Sequence, residues 1–304
     1  MAETFLRRWF GGKPTASAAD EARAEIDRLL ADRPSYSGPL TWLRAVTDEL
    51  TPVAGYIAAT LPEPEAARDK LAAGEPLLRG LGVVVEDRQF ARRWKRLCEA
   101  LNESQPGAAS PALSKVVRKQ LLDGSEVLSA LLRNDPRPIA DVARKTESDP
   151  GLVSILVRLT LFPGMATVQE TAASPLRGVA WDRGHCPVCG GPPLLGEFRG
   201  LDQSRFLRCG LCAASWEVPR QWCPACGNRD HESLGFLAKE GEESRYRVAT
   251  CDTCRSGVKM LSTLSALPPL MLLVADAATL HLDLAAADHG YLCPPPSAHW
   301  PECR

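Results

Sequence analysis

The sequence predicts an α+β protein of more than one domain: an N-terminal all-α domain, then two small zinc-ribbon or rubredoxin-like modules, each built on four cysteines. Three observations lead there. Apolar residues recur at helical spacing through the first half, the composition turns to short β-like runs after about residue 180, and eight of the eleven cysteines fall between Cys186 and Cys254 as four Cys-x-x-Cys pairs. This divides the chain into a helical domain at 1–172, a first module at 173–219 and a second module with a tail at 220–304.

The helical half reads in order. Ala18 to Ala31 is an alanine-rich, charge-laced helix stopped by Pro34. Leu40, Leu43, Val46, Leu50, Val53 and Ile57 continue at near-helical spacing as far as Pro62, with Pro52 kinking or dividing the run. Shorter helices follow over Glu63–Ala73 and Glu86–Asn102. The second carries Phe90, Trp94, Leu97 and Leu101 on one face and Arg92, Arg93, Lys95 and Arg96 on solvated ones. Cys98 falls beside the core positions as a small buried hydrophobe. After a Pro/Gly/Ser loop at Gln105–Pro111, helical patterns resume over Leu113–Leu132, with Gly124 as a weak point, then Ile139–Glu147 and Leu152–Phe162. This half has no histidine, no Gly-rich phosphate loop and no carboxylate pair at diagnostic spacing, so acid–base or nucleophilic chemistry has little to work with there.

Thr171–Gly184 reads as a linker. Beyond it, strands are expected at Leu194–Phe198, Ser204–Leu207, Trp216–Val218, Leu234–Ala238 and Tyr246–Ala249. The pairs Cys186/Cys189, Cys209/Cys212, Cys223/Cys226 and Cys251/Cys254 sit among them. A tight turn aims both sulfurs of one pair at a point, so two turns supply the corners of a tetrahedral all-sulfur site. Cys189 and Cys209, like Cys226 and Cys251, are separated by stretches long enough for strands to fold back; Cys212 and Cys223 are not. The first pair therefore belongs with the second and the third with the fourth, with a cross-brace as the alternative. In the leading knuckles, Cys186-Pro187-Val188-Cys189-Gly190 and Cys223-Pro224-Ala225-Cys226-Gly227, proline presets the turn and glycine tolerates a left-handed backbone.

Other readings of these residues are weaker. Disulfides would suit a secreted chain, but Met1–Pro14 lacks the apolar core of a signal peptide, and Arg7-Arg8 is followed by Gly11-Gly12-Lys13-Pro14 rather than an apolar run. A thioredoxin-like dithiol needs one Cys-x-x-Cys in a βαβ setting. His185 and His231 are near the knuckles but superfluous to two complete tetrahedra. His281, Asp283 and His289 read as helix-surface residues, and Cys293 and Cys303 as unligated thiols. Near-balanced charge, 36 basic against 37 acidic residues, argues against bulk nucleic-acid binding. The longest apolar runs, Leu152–Ala166 and Met260–Ala275, are interrupted and read as too short to span a bilayer. The cluster Arg205, Arg208, Arg220, Arg229, Arg245, Arg247 and Arg255 is read as neutralising the roughly −2 charge of four thiolates on a divalent ion, with an acidic partner or nucleic acid as alternatives.

Trp181-x-x-Gly184 before the first knuckle, Arg205-Phe206-Leu207 before the second, Trp216, Val218, Val258-Lys259 and the tail Asp276-x-x-x-Leu280-His281-Leu282-Asp283 with Gly290-Tyr291 complete a pattern that resembles the formate dehydrogenase accessory protein family, FdhE. The likeness is close from Trp181 to Tyr291 and weak in the helical half. Gly257 and Ala249 depart from residues common in the family, around the ligands rather than at them. The resemblance implies a cytoplasmic, non-enzymatic protein that helps mature membrane-bound respiratory formate dehydrogenase by contacting its catalytic subunit before export. It also implies iron in the four-cysteine sites, although the donors suit zinc equally. No nucleic-acid partner and no membrane insertion are expected, and self-association is left open. A rubredoxin-type electron carrier and a nucleic-acid-binding zinc ribbon are the alternatives.

Overall fold

A computed structural model describes residues 17–32, 37–176 and 179–292. Helix α1 (Ala18–Asp32) is capped by Ser17, whose Oγ accepts from Asp20 N–H at 3.2 Å while Asp20 accepts from Ser17 N–H. It buries Ala19, Ala22, Ile26 and Leu29 on one stripe. Helix α2 (Ser37–Leu50) ends ahead of Pro52. The helical continuation to Pro62 does not form: Val53 N–H donates to Pro163 O, the Tyr56 hydroxyl donates to Thr160 O, and Ile57–Ala59 becomes strand β1. Strand β1 pairs antiparallel with β2 (Val83–Val85).

Helix α3 spans Pro64–Ala72, and α4 (Asp87–Ser104) starts where Glu86 accepts from Arg88 and Gln89 N–H. Phe90, Trp94, Leu97 and Leu101 are buried as expected, and so is Cys98, its thiol pushed up to about 12 by burial. Arg93 does not join the solvated basic face. It is 4% exposed, its guanidinium donating to Glu49 O and lying 5.2 Å over the Tyr56 ring. The helix expected over Leu113–Leu132 is a 3₁₀ turn (Leu113–Lys115), a turn region, and then α5 (Gly124–Leu132). Gly124 is thus not a weak point inside a helix but its first residue, after the cap Asp123.

Helices α6 (Arg137–Thr146) and α7 (Pro150–Leu176) complete this half. Helix α7 is far longer than the Leu152–Phe162 core that periodicity marks out, and the expected linker begins inside it. Its Pro150–Ala172 stretch is long and apolar enough to cross a membrane by length and composition, yet 61% of its most apolar window is buried in the protein. Its apolarity is that of a central core helix.

The second half forms one six-stranded sheet in the order β5-β4-β3-β8-β7-β6. The strands are β3 (Pro193–Arg199), β4 (Ser204–Cys209), β5 (Ser215–Glu217), β6 (Leu234–Leu237), β7 (Tyr246–Cys251) and β8 (Ser256–Thr263). Each three-strand unit is an antiparallel meander, and parallel pairing of β3 with β8 joins the two units. Strand β8 was not evident in the sequence. Ser256 to Leu261 is buried without interruption, so the run lacks the alternation that marks a half-exposed strand.

Helices α8 (Pro269–Ala278) and α9 (Leu280–Asp288) cover one face of the sheet. Leu282 and Ala286 pack on Val248 of β7, and α8 also meets α1 and α2. The buried Lys259 ties the layers together, reaching Asp276 Oδ1 at 2.6 Å and Asp283 Oδ2 at 2.7 Å. Asp283 is therefore a buried-pair partner and not a helix-surface residue, and His281 pairs with Glu242 at 3.2 Å. Among the described residues one large apolar core runs from α1 through α7 into the first knuckles, β8 and α8, and two small clusters lie in the rest of the second module.

Candidate metal centres

Each leading knuckle is closed by the same two backbone bonds. Cys186 N–H donates to Gly191 O at 2.8 Å and Gly190 N–H to Cys186 O at 2.9 Å; Cys223 N–H donates to Asn228 O and Gly227 N–H to Cys223 O at the same two distances. Gly190 and Gly227 have φ of 77° and 76°, the left-handed conformation the turn requires. The trailing knuckles sit at the ends of β4 and β7, where Ala213 and Arg255 take φ of 59° and 54°.

The strands bring the knuckles together in the pairing argued from the gaps. Cys186, Cys189, Cys209 and Cys212 form one cluster and Cys223, Cys226, Cys251 and Cys254 another, with all sulfurs of a cluster within 4.8 Å. The closest sulfur pairs are Cys189–Cys209 at 3.4 Å and Cys186–Cys212 at 3.6 Å, then Cys223–Cys254 at 3.6 Å and Cys226–Cys251 at 3.8 Å. A tetrahedron with metal–sulfur bonds of about 2.3 Å has edges of about 3.8 Å, whereas a disulfide needs about 2.05 Å. The donor set therefore fits one tetrahedral ion per cluster.

The surroundings of the two clusters differ. All four sulfurs of the first are buried, and its knuckle is sewn to the helical half where Leu77 and Leu78 N–H donate to Pro187 and Val188 carbonyls, each at 2.9 Å. Burial drives the Cys186 and Cys212 thiols well up. Burial would raise Cys209 as well, but hydrogen bonds from the other three thiols and from Leu211 N–H hold it well below its ordinary value. Arg158 of α7, which in the sequence only interrupts an apolar run, lies where the charges of Cys209 and Cys189 act on it against the cost of its burial. In the second cluster Cys254 is exposed and Cys226 half-buried. The Ser256 hydroxyl is 3.0 Å from Cys254 Sγ, and Asn228 Nδ2 is 3.7 Å from Cys251 Sγ. Burial pushes Cys223 up to about 11, while hydrogen bonds from Cys254 and Thr253 N–H and from Asn228 overcome burial and lower Cys251 to about 7.

His185 and His231 fall outside both clusters; the His185 carbonyl accepts from Trp181 Nε1 at 2.8 Å. Trp216 Nε1 donates to Arg183 O, so both motif tryptophans brace the approach to the first knuckle. Of the seven arginines, Arg205 and Arg208 are buried structural braces. Arg205 Nη1 donates to Pro219, Arg220 and Trp222 carbonyls, and Arg208 pairs with the buried Glu197 at 2.5 Å. Asp276 carries a role the residue reading had not assigned. A lone lysine inside the apolar run Val258–Leu261, with carboxylates seven residues apart in the following helices, was the available signal. Cys293 and Cys303 lie outside the described residues.

Fold and sites together define a helical protein bearing two fused four-cysteine knuckle modules. A family model described as "FdhE, central domain" matches residues 185–220. A protein FdhE homolog of Rhizobium meliloti is 27% identical over 294 residues, 92% of this chain and 89% of the relative. Another, of Stutzerimonas stutzeri, is 39% identical over 113 residues, 36% of each chain. The crystal structure of the FdhE protein from Pseudomonas aeruginosa shares the fold, with a TM-score of 0.56 at 22% identity over 96% of this chain and 99% of that one. The chain is thus similar to FdhE proteins, over its central segment by the family model and over most of its length by the Rhizobium meliloti relative.

Proposed function

We propose that this protein is a non-enzymatic accessory factor for the maturation of respiratory formate dehydrogenase, acting in the cytoplasm on the catalytic subunit. In this reading Cys186, Cys189, Cys209 and Cys212 hold one metal ion and Cys223, Cys226, Cys251 and Cys254 a second. The observation that carries it is the pair of four-sulfur clusters in a chain similar to FdhE proteins along most of its length. Four protein ligands leave no coordination position for a substrate, which suits stapling and recognition better than turnover. Iron is the metal the family resemblance implies, and tetrahedral thiolate accepts zinc as well.

Deleting the gene should abolish respiratory formate oxidation while the catalytic subunit is still made, and the purified protein should bind that subunit directly. Full activity in the deletion strain, with no second homologue present, would overturn the reading. One observation favours a second reading, a rubredoxin-type electron carrier: Cys254 brings the second cluster to the surface. Reversible reduction of iron-loaded protein by a partner would support it, and equal rescue of formate dehydrogenase by zinc-loaded and iron-loaded protein would reject it.

A further inference from the structure

The sheet has two faces, and only one is covered by α8 and α9. On the other, Phe198 of β3 stands opposite Arg205 of β4, and Phe236 of β6 stands opposite Ala249 of β7, two residues from Arg247. These side chains line a cleft bounded by the inter-module segment Arg220–Pro224 and floored in part by Cys223 and Cys251. Its lining includes three arginines and no carboxylate.

That imbalance is local. Arg199 and Arg208, on the covered face, both pair with Glu197, and Arg255 pairs with Asp252. Among the described residues Arg220 and Arg247 form no ion pair. Instead Arg247 lies 4.8 Å from the Phe198 centroid and 5.8 Å from that of Phe236, and Arg220 lies 5.8 Å from Phe198. Arg205, 3% exposed, has a buried Nε without a hydrogen-bond partner. The metal cluster accounts for part of this charge, because Arg205 sits where the charge of Cys223 acts on it. Arg220, whose Nη1 also donates to Asp202 O at 3.4 Å, and Arg247 remain stacked on aromatic faces, an arrangement that leaves further N–H groups of both for carboxylates. Beside them Phe236 is 60% exposed, and β6 is an edge strand, bonded only to β7 among the described strands.

We propose that this cleft docks an extended acidic segment of a partner protein. Its carboxylates would pair with Arg220 and Arg247, its apolar or aromatic side chains would pack on Phe198 and Phe236, and its backbone would run along the open edge of β6. A nucleic-acid strand could use the same stacking surfaces, but a chain with formal net charge −1 lacks the broad basic field such binding draws on. The inference goes beyond the maturation reading and holds whichever protein supplies the segment.

The test uses the full-length, metal-loaded protein and a fluorescein-labelled twelve-residue peptide of alternating Glu and Tyr, followed by anisotropy at low and physiological salt. Saturable binding is expected, weakened about tenfold or more by Arg220→Gln/Arg247→Gln and by Phe236→Ser, with metal content unchanged. Arg220 and Phe236 are exposed, so Arg220→Gln alone and Phe236→Ser remain informative if Arg247→Gln disturbs the fold. A matched Lys/Tyr peptide should not compete. Absence of saturation by the acidic peptide, equal affinity in the variants, or tighter binding of an oligothymidylate of the same length would overturn the proposal. None of these outcomes depends on formate dehydrogenase, so failure here leaves the maturation reading intact.

Discussion

The two cysteine clusters share a backbone and differ in what surrounds them. Both are built from a Cys-Pro-x-Cys-Gly knuckle with the same closing hydrogen bonds and a second knuckle at a strand end, yet the first lies in the main core while the second leaves Cys254 exposed. The lesson is that an identical donor set need not give identical sites. Donor chemistry sets which ions fit, and burial sets how tightly each site is tied to the fold and how easily solvent or a partner reaches it.

The largest difference should appear in stability. Cys189→Ser breaks a site that shares its core with α7 and α8, so the main thermal transition should drop by on the order of 3–5 kcal/mol, roughly 10 °C in Tm. Cys226→Ser, among small local clusters, should shift that transition by about 1 kcal/mol or less while the chain loses one ion. Circular dichroism with metal analysis reads both, and equal shifts would erase the distinction. The same comparison bears on the proposed division at residues 172 and 219, because the sheet is continuous across the second boundary.

A smaller effect is expected at the tie between sheet and tail. Burial works to lower the Lys259 pKa, but Asp276 and Asp283 outweigh it and raise it above the usual 10.5. A cation whose folded pKa is raised contributes stability that is complete below its unfolded pKa and lost as pH climbs through the folded one. Wild-type stability should therefore decline above about pH 10.5, and Lys259→Met should lose about 3 kcal/mol near neutrality and flatten that alkaline slope. Denaturant midpoints across pH 7–12 measure it, and an unchanged slope would show that the pair contributes little.

The smallest effect concerns the sulfur surroundings. Ser256→Ala removes a hydroxyl 3.0 Å from Cys254 Sγ and should weaken the second ion about tenfold while leaving the first unchanged. Competition with a chromophoric chelator reads the two affinities, and equal weakening of both would contradict the separation.

What the sequence disclosed follows from where the information resides. The eight cysteines were legible because a tetrahedral thiolate site imposes its own spacing, and their pairing followed because only long gaps can hold returning strands. Helices with long amphipathic stripes, α1 and α4, were legible for the same local reason. Strand β8 and its parallel pairing with β3 were not, since a strand buried on both faces has no period and its partner lies some sixty residues away. The short strands β1 and β2 depend on each other and on α5 and α7, and the inward turns of Arg93 and Lys259 depend on Glu49, Tyr56, Asp276 and Asp283, whose proximity only the folded chain creates.

The most direct test of the central claim, two four-cysteine sites with one ion each and unequal access, is the time course of metal release from anaerobically purified protein under excess chelator. Two ions per chain should leave in two phases of equal amplitude, the faster at least about tenfold quicker. The fast phase should vanish in Cys254→Ser, leaving the slow one intact. One ion per chain, a single phase, or a fast phase that survives in Cys254→Ser would contradict it.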